Sequence, residues 1–190
     1  MGKIVVSTNV SLDGVVQDPD GQEGFKLGGW FDQFTGADRE AWVEVLTAEA
    51  LGAEVLLLGR RSDEWFASRW LERTGDWADK LNSMPKYVVS TTLEQPRWGA
   101  GTVLNGDVVA QVAKVKREVE GEIVVYASYQ LVRTLVEHDL VDEFRLFVFP
   151  VVLGAGERLF DGIGEKVPLR LIGTRGIGEG LTFLDYEVVR

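Results

Sequence analysis

The sequence has no cysteine and a single histidine, His138. Disulfides and thiolate chemistry are therefore excluded. So is a zinc site of the His/Cys type. The chain also lacks the run of about 18 apolar residues that a membrane-spanning helix needs. Its first residues, Met1-Gly2-Lys3-Ile4-Val5-Val6, read as a strand. No small-residue cleavage site follows a long apolar core there, as one would in a signal peptide. These absences predict a cytoplasmic protein with no membrane partner and no metal. Positive charge is short as well: 20 Lys and Arg stand against 30 Asp and Glu, a net charge of −10. A nucleic-acid surface needs clustered cations, so no nucleic-acid partner is expected. A small anionic ligand stays open, because two local arginines can hold one inside an acidic protein.

What is present is ordinary for a folded globular chain. Hydrophobic residues make up 45% and charged residues 26% of the 190 positions, so one domain over 1–190 is expected. Lys3–Val10 is rich in Val, Ile and Thr and reads as a strand. Ser11-Leu12-Asp13-Gly14 turns out of it. Residues 15–36 form a long loop, with Asp18-Pro19-Asp20-Gly21 as a strong turn and Trp30-Phe31 after paired glycines. Those two aromatics either anchor the loop or form a binding wall. Ala37–Leu51 carries helical spacing through Trp42, Val45, Leu46 and Glu49, and Gly52 ends it. Strands follow at 54–58 and 86–90, a short one at Val103-Leu104, and two more at 169–172 and 181–189. Asp107 caps a helix whose Val108, Val112, Val115 and Val119 repeat at helical spacing.

Residues 123–160 are the most informative stretch. Ile123-Val124-Val125-Tyr126 is a buried-strand run. Ala127-Ser128 then feeds a helix carrying Leu131, Val132, Leu135 and Val136, with Ser128 as its N-cap. Phe144–Phe149 is the next strand, stopped by Pro150. Leu153-Gly154-Ala155-Gly156 is a loop that a ligand can approach closely. Strands alternating with helices predict an α/β fold with a largely parallel sheet, closed by an antiparallel pair.

These residues resemble the dihydrofolate-reductase-like family, which includes the C-terminal reductase domain of the bifunctional riboflavin-biosynthesis deaminase-reductase. The resemblance rests on Ala127-Ser128, Leu131-Val132, Asp139-Leu140-Val141-Asp142-Glu143, Pro150-Val151-Val152-Leu153-Gly154 and Arg158-Leu159-Phe160. Ser11-Leu12-Asp13-Gly14, Leu57-Leu58-Gly59-Arg60-Arg61 and Pro85-Lys86-Tyr87-Val88-Val89-Ser90 match in the same order. It implies a mixed, mostly parallel eight-stranded sheet flanked by helices. It also implies an NADPH-dependent reductase acting on a small heterocyclic (pterin-like or pyrimidine-like) or carbonyl substrate. The 5-amino-6-(5-phosphoribosylamino)uracil reductases and the dihydrofolate reductases are the two models. A non-catalytic nucleotide- or ligand-binding module of the same fold is the alternative. The family usually has Gly-Ser where this chain has Ala127-Ser128, so a Cβ now sits where the phosphates of the dinucleotide approach.

Three strand ends carry residues suited to a dinucleotide. Gly59-Arg60-Arg61 offers close backbone approach and two guanidiniums. Ser90-Thr91-Thr92 offers hydroxyls, and Ala127-Ser128-Tyr129-Gln130-Leu131 offers helix N-terminal amides. Each also has a plain structural reading: surface ion pairs for the arginines, close strand–helix packing for Ala127-Ser128. The resemblance assigns all three to the cofactor, with the arginines favouring NADPH over NADH. For the acid, it directs attention to Asp38 on the first helix and Asp13 after the first strand. A helix N-terminal charge for Asp38 and an Asp-Gly turn for Asp13 are the plainer explanations. A homodimer is expected from Phe144–Phe149, a strand apolar on both faces, and from the resembled proteins.

Overall fold

The computed structural model describes residues 1–190. Eight strands and five α-helices alternate along the chain. They are β1 (Lys3–Ser11), α1 (Ala37–Gly52), β2 (Ala53–Gly59), α2 (Arg60–Trp70), α3 (Asp76–Ser83), β3 (Lys86–Val89) and β4 (Gly101–Leu104). Then come α4 (Val108–Glu118), β5 (Glu122–Tyr126), α5 (Tyr129–Glu137), β6 (Glu143–Phe149), β7 (Leu169–Ile177) and β8 (Leu181–Val188). The sheet runs β4-β3-β2-β5-β1-β6-β8-β7. From β4 through β6 every pairing is parallel. β8 and β7 pair antiparallel at one edge. This is the mixed, mostly parallel eight-stranded sheet that the resemblance implies. No helix is long and apolar enough to cross a membrane.

Alternation along the strands splits the core in two. Ile4, Val6, Ile123, Val125 and Phe144 face α4 and α5 on one side. Leu56, Leu58, Val124, Phe147 and Phe149 face α1, α2 and α3 on the other. Both faces of the central strands are covered, which explains their continuous apolar runs. Asp107 caps α4 as the sequence predicts, its carboxylate accepting from Ala110 N at 3.0 Å.

The apolar pattern of β6 has a different cause from the one expected. Phe144, Phe147 and Phe149 are buried by the chain's own helices and loops, with β1 and β8 on either side. Leu146 and Val148 on the same strand stay partly buried. The uncovered strand is β7 at the sheet edge, where Leu169, Leu171 and Ile172 are exposed.

β6 also carries a charge into the sheet. Arg145 donates to Glu122 through Nη1 at 2.9 Å and Nη2 at 2.7 Å, and to Glu143 through Nε at 2.7 Å. Glu49 of α1 closes the cluster at 3.3 Å from Nη1. Burial works against the charge on Arg145, but the three carboxylates outweigh it and raise its pKa. Burial raises the pKa of Glu49, while Arg145 opposes it. Removing one member of such a buried cluster strands the others without a counter-charge. Arg145→Met is therefore expected to lower unfolding stability by about 3–5 kcal/mol. Urea denaturation measures this; a loss under 1 kcal/mol contradicts the reading.

Candidate functional site

Three turns meet at the carboxyl ends of β2, β3 and β5, the place where open α/β sheets bind ligands. They border a cavity of about 870 Å³. Its lining includes Gly59, Arg60 and Arg61, then Ser90, Thr91 and Thr92, then Ala127, Ser128, Tyr129, Gln130 and Leu131. Every residue that the sequence offered for phosphate and ribose contact thus lies on one wall.

Ser128 holds two of these turns together. Its hydroxyl accepts from Gly59 N at 3.0 Å and donates to Ser62 Oγ at 2.8 Å. Its own amide donates to the same Ser62 oxygen at 3.1 Å. Ser128 occupies the N-cap position of α5, but its hydroxyl makes no capping bond to the helix. The cap role read from the sequence is therefore corrected: the hydroxyl is spent between β2 and β5. The first-turn amides of Tyr129, Gln130 and Leu131 precede any intrahelical acceptor and stay available to an anion.

The backbone at this turn is strained. Ala127 has φ +49° and Ser128 has φ +54°, both left-handed. A negative φ at Ala127, with its methyl accommodated at no cost, is the simpler expectation, and the structure overturns it. An L-residue pays about 1–2 kcal/mol for this conformation, and glycine pays little. Gly59 is the converse case. Its φ of −81° suits any residue. A Cβ built there meets only the Ser128 side chain, at 3.7 and 3.8 Å. The chain's own packing does not require glycine at 59. What a side chain there would fill is the cavity in front of it, and this open cradle fits a dinucleotide phosphate.

The three hydroxyls and two arginines differ in availability. Ser90 Oγ accepts from Thr92 N at 3.1 Å and Leu93 N at 3.0 Å, so it shapes its turn. Thr91 and Thr92 are exposed at the mouth. Arg60 is paired with Glu64 at 3.1 Å. Arg61, exposed beside it, carries no such ion pair and is the freer cation.

Compared with known proteins, residues 2–183 match the family model of the RibD C-terminal domain. The chain belongs to the RibD C-terminal domain family. The uncharacterized protein YyaP of Bacillus subtilis (strain 168) is 30% identical over 142 residues, 70% of this chain and 73% of that protein. A Shewanella sp. PV-4 structure named for riboflavin biosynthesis superposes with TM-score 0.77 at 21% identity, covering 99% of each chain. A Thermotoga maritima structure is described as a diaminohydroxyphosphoribosylaminopyrimidine deaminase/5-amino-6-(5-phosphoribosylamino)uracil reductase. It superposes with TM-score 0.63 at 12% identity, covering 99% of this chain and 57% of that one. The RibD C-terminal domain is a reductase domain, so the chain carries an oxidoreductase fold.

Neither carboxylate proposed as the acid reaches the cavity of this RibD-type domain. Asp13 accepts from Ser11 Oγ at 2.7 Å, Leu153 N at 3.1 Å and Gly154 N at 2.8 Å. The Ser11 hydroxyl and these amides outweigh burial and hold its pKa at about 2. It clamps the loop after β6. That loop, Leu153–Gly156, is drawn away from the cavity, and Gly156 packs on Phe25 and Val15. Asp38 accepts from the amides of Glu179 and Gly180 and clamps the β7–β8 turn. Asp13 thus serves the turn read from the sequence, whereas Asp38, read there as a helix N-terminal charge, is tied to a distant turn; neither is among the residues lining the cavity.

The cavity instead takes its acids from the loop after β1: Asp18, Asp20, Glu23 and Asp32. The same loop supplies Phe31, while Trp30 is fully buried with Nε1 donating to Gln17 O at 3.1 Å. The anchor and binding-wall readings of that pair are thus divided between its members. Trp42, Trp65, Phe66 and Trp77 complete an aromatic side, of which the sequence analysis singles out only Trp42, and that for its helical spacing. Ala127→Gly is expected to raise unfolding stability by about 0.5–1 kcal/mol, the relieved strain less the extra freedom of the unfolded chain. Thermal and urea unfolding check this, and a destabilised variant contradicts the assigned backbone.

Proposed function

We propose that this chain is an NADPH-dependent reductase that transfers a hydride to a C=N or C=O bond of a small cyclic substrate. One observation carries the reading. Residues from three strand ends, separated by up to 69 positions across the Gly59–Ser128 bond, line one wall of one cavity. That wall includes a glycine that the chain's own packing does not need. Arg61, Thr91 and Thr92 would hold the 2′-phosphate end of the cofactor. Gly59 and the first amides of α5 would take the pyrophosphate. The bound dinucleotide supplies hydride chemistry, and the protein supplies orientation and a water-poor pocket. The site needs no metal in this scheme, and a cytoplasmic setting follows for an enzyme drawing on the cellular NADPH pool.

A second reading has its own support. Ala127 replaces the usual glycine, and neither Asp13 nor Asp38 lines the cavity. Both facts favour a ligand-binding module that has kept the fold without turnover. Calorimetry with NADPH and NADH separates these at the first step. NADPH is expected to bind more tightly. Arg61→Ala should cost NADPH about 1.5–3 kcal/mol, more than Arg60→Ala costs. Gly59→Ala should weaken NADPH at least tenfold while leaving unfolding stability unchanged or slightly higher. Equal affinities for the two cofactors would sink the 2′-phosphate assignment.

We also propose a homodimer paired through β7. Its exposed Leu169, Leu171 and Ile172 lie on an uncovered strand edge, which proteins seldom leave unpaired. Light scattering at micromolar concentration should give twice the chain mass of 21.1 kDa, and Ile172→Lys should return the mass of one chain.

A further inference from the structure

From the walls of the cavity we infer that its substrate end takes a flat, uncharged ring and refuses a sugar phosphate. The inference rests on the division into cofactor and substrate ends made above. It concerns the part of the cavity between the sheet and α1, α2 and α3.

The floor there is the sheet itself. Ser7 pairs with Tyr126 and Asn9 with Phe147 across neighbouring strands, so these four side chains share one face. The walls are aromatic rings in fixed orientations. Trp42 Nε1 donates to Asn9 Oδ1 at 2.9 Å, and Trp65 Nε1 donates to Asp20 Oδ2 at 2.9 Å. An indole whose N–H is already spent offers a ligand only ring surface. Phe31 meets Trp42 edge-on at 5.0 Å, and Trp42 meets Trp77 edge-on at 5.7 Å. Rings locked edge to face keep their positions when a ligand arrives, so the slot is preorganised for a planar guest.

The charges point the same way. Arg39 is held by Asp32 at 3.0 Å and lies 4.0 Å above the Phe31 ring. Arg69 is 3.4 Å from Asp20 and 4.3 Å above Trp65. Both guanidiniums are neutralised by carboxylates and spread over aromatic faces. Glu23 adds a further negative charge to the lining. A phosphate dianion placed here would have to break an arginine–carboxylate pair and then sit beside the released carboxylate. Arg73 also lines the cavity, stacked 4.7 Å above Trp70 and exposed at the rim, and unlike Arg39 and Arg69 it has no carboxylate partner. The opposite end of the cavity has the free Arg61. A phosphoribosyl arm, as in the activity named for the Thermotoga protein, therefore finds no unpaired cation between the rings, and only the rim guanidinium of Arg73 is left to meet it.

The test uses two probes on the full chain by calorimetry. Quinoxaline is an uncharged, flat bicycle with C=N bonds; uridine 5′-monophosphate carries the sugar phosphate. Quinoxaline is expected to bind, with at least tenfold weaker binding in Trp42→Ala and less than threefold change in Trp42→Phe. Uridine 5′-monophosphate should show no binding that depends on Trp42. Val43→Glu, which brings a carboxylate into the same lining, serves if Trp42→Ala fails to fold and should also weaken quinoxaline at least tenfold. Absent quinoxaline binding, or binding indifferent to these substitutions, overturns the inference. So does uridine 5′-monophosphate binding that falls tenfold in Trp42→Ala or Arg73→Ala. NADPH titrated separately reports the other end. Should NADPH fail to bind while quinoxaline behaves as stated, the cofactor reading falls and the ring slot stands.

Discussion

The site depends on one hydroxyl. Ser128 Oγ lies between Gly59 N and Ser62 Oγ, and it joins the end of β2 to the end of β5. The two strands are hydrogen-bonded neighbours lower in the sheet, but their last direct pairing is Leu56 with Val124. Beyond that point the strands diverge as they twist, and the cavity opens between their ends. The serine bridge sets how far they separate. It also decides where α2 and α5 begin, and hence where Arg61 and the amides of Tyr129–Leu131 stand relative to each other.

That bridge explains why two consecutive L-residues tolerate a left-handed backbone. Strain of this kind persists only where surrounding bonds over-determine the conformation. The Ser128 amide and hydroxyl both reach Ser62, and a relaxed turn would lose both contacts. Losing two partly buried hydrogen bonds costs about 1–3 kcal/mol, comparable to the strain they hold. The family glycine removes the strain without touching the bridge. Alanine at 127 is therefore compatible with the same turn, and its methyl is the only chemical difference presented to a ligand.

Much of the fold was legible because it is written in local periodicity. The two-faced apolar runs of β2 and β5, the helical spacing of α4 and the Asp107 cap each involve residues a few positions apart. The strand-end residues were legible too, since topology places the carboxyl ends of parallel strands together. What escaped the reading is long-range. Ser62 and Ser128 are 66 positions apart, and nothing near either residue announces the other. Trp42 shows helical spacing in the sequence; only its bond to Asn9, 33 positions away, shows that its ring is a wall. The φ of Ala127 depends on that same distant serine contact. β6 is ambiguous for a simpler reason: an apolar strand needs cover on both faces, and its pattern does not say how much of that cover comes from the same chain.

Asp13 and Asp38 point to how this chain uses its negative charge. Asp13, Asp18, Asp38 and Asp63 each accept from two backbone amides of a loop or turn. For Asp13 these amides and the Ser11 hydroxyl hold the carboxyl well below the usual carboxylate range, so it makes a poor proton donor near neutral pH. The excess of 30 acids over 20 bases is thus partly an inventory of loop clamps. The same chemistry appears at the cavity, where Asp20 fixes Trp65 and meets Arg69, and Asp32 meets Arg39. There the carboxylates consume the arginines' charge and leave the aromatic faces as the exposed chemistry. An acidic protein with several arginines around its cavity therefore keeps Arg61 unpaired at the ends of β2 and β5, while Arg39 and Arg69 on the aromatic side are already matched by carboxylates. Under the proposed function that division suits hydride transfer, because an anionic cofactor would be held by Arg61 while the reacting ring lay among faces whose arginines are already paired.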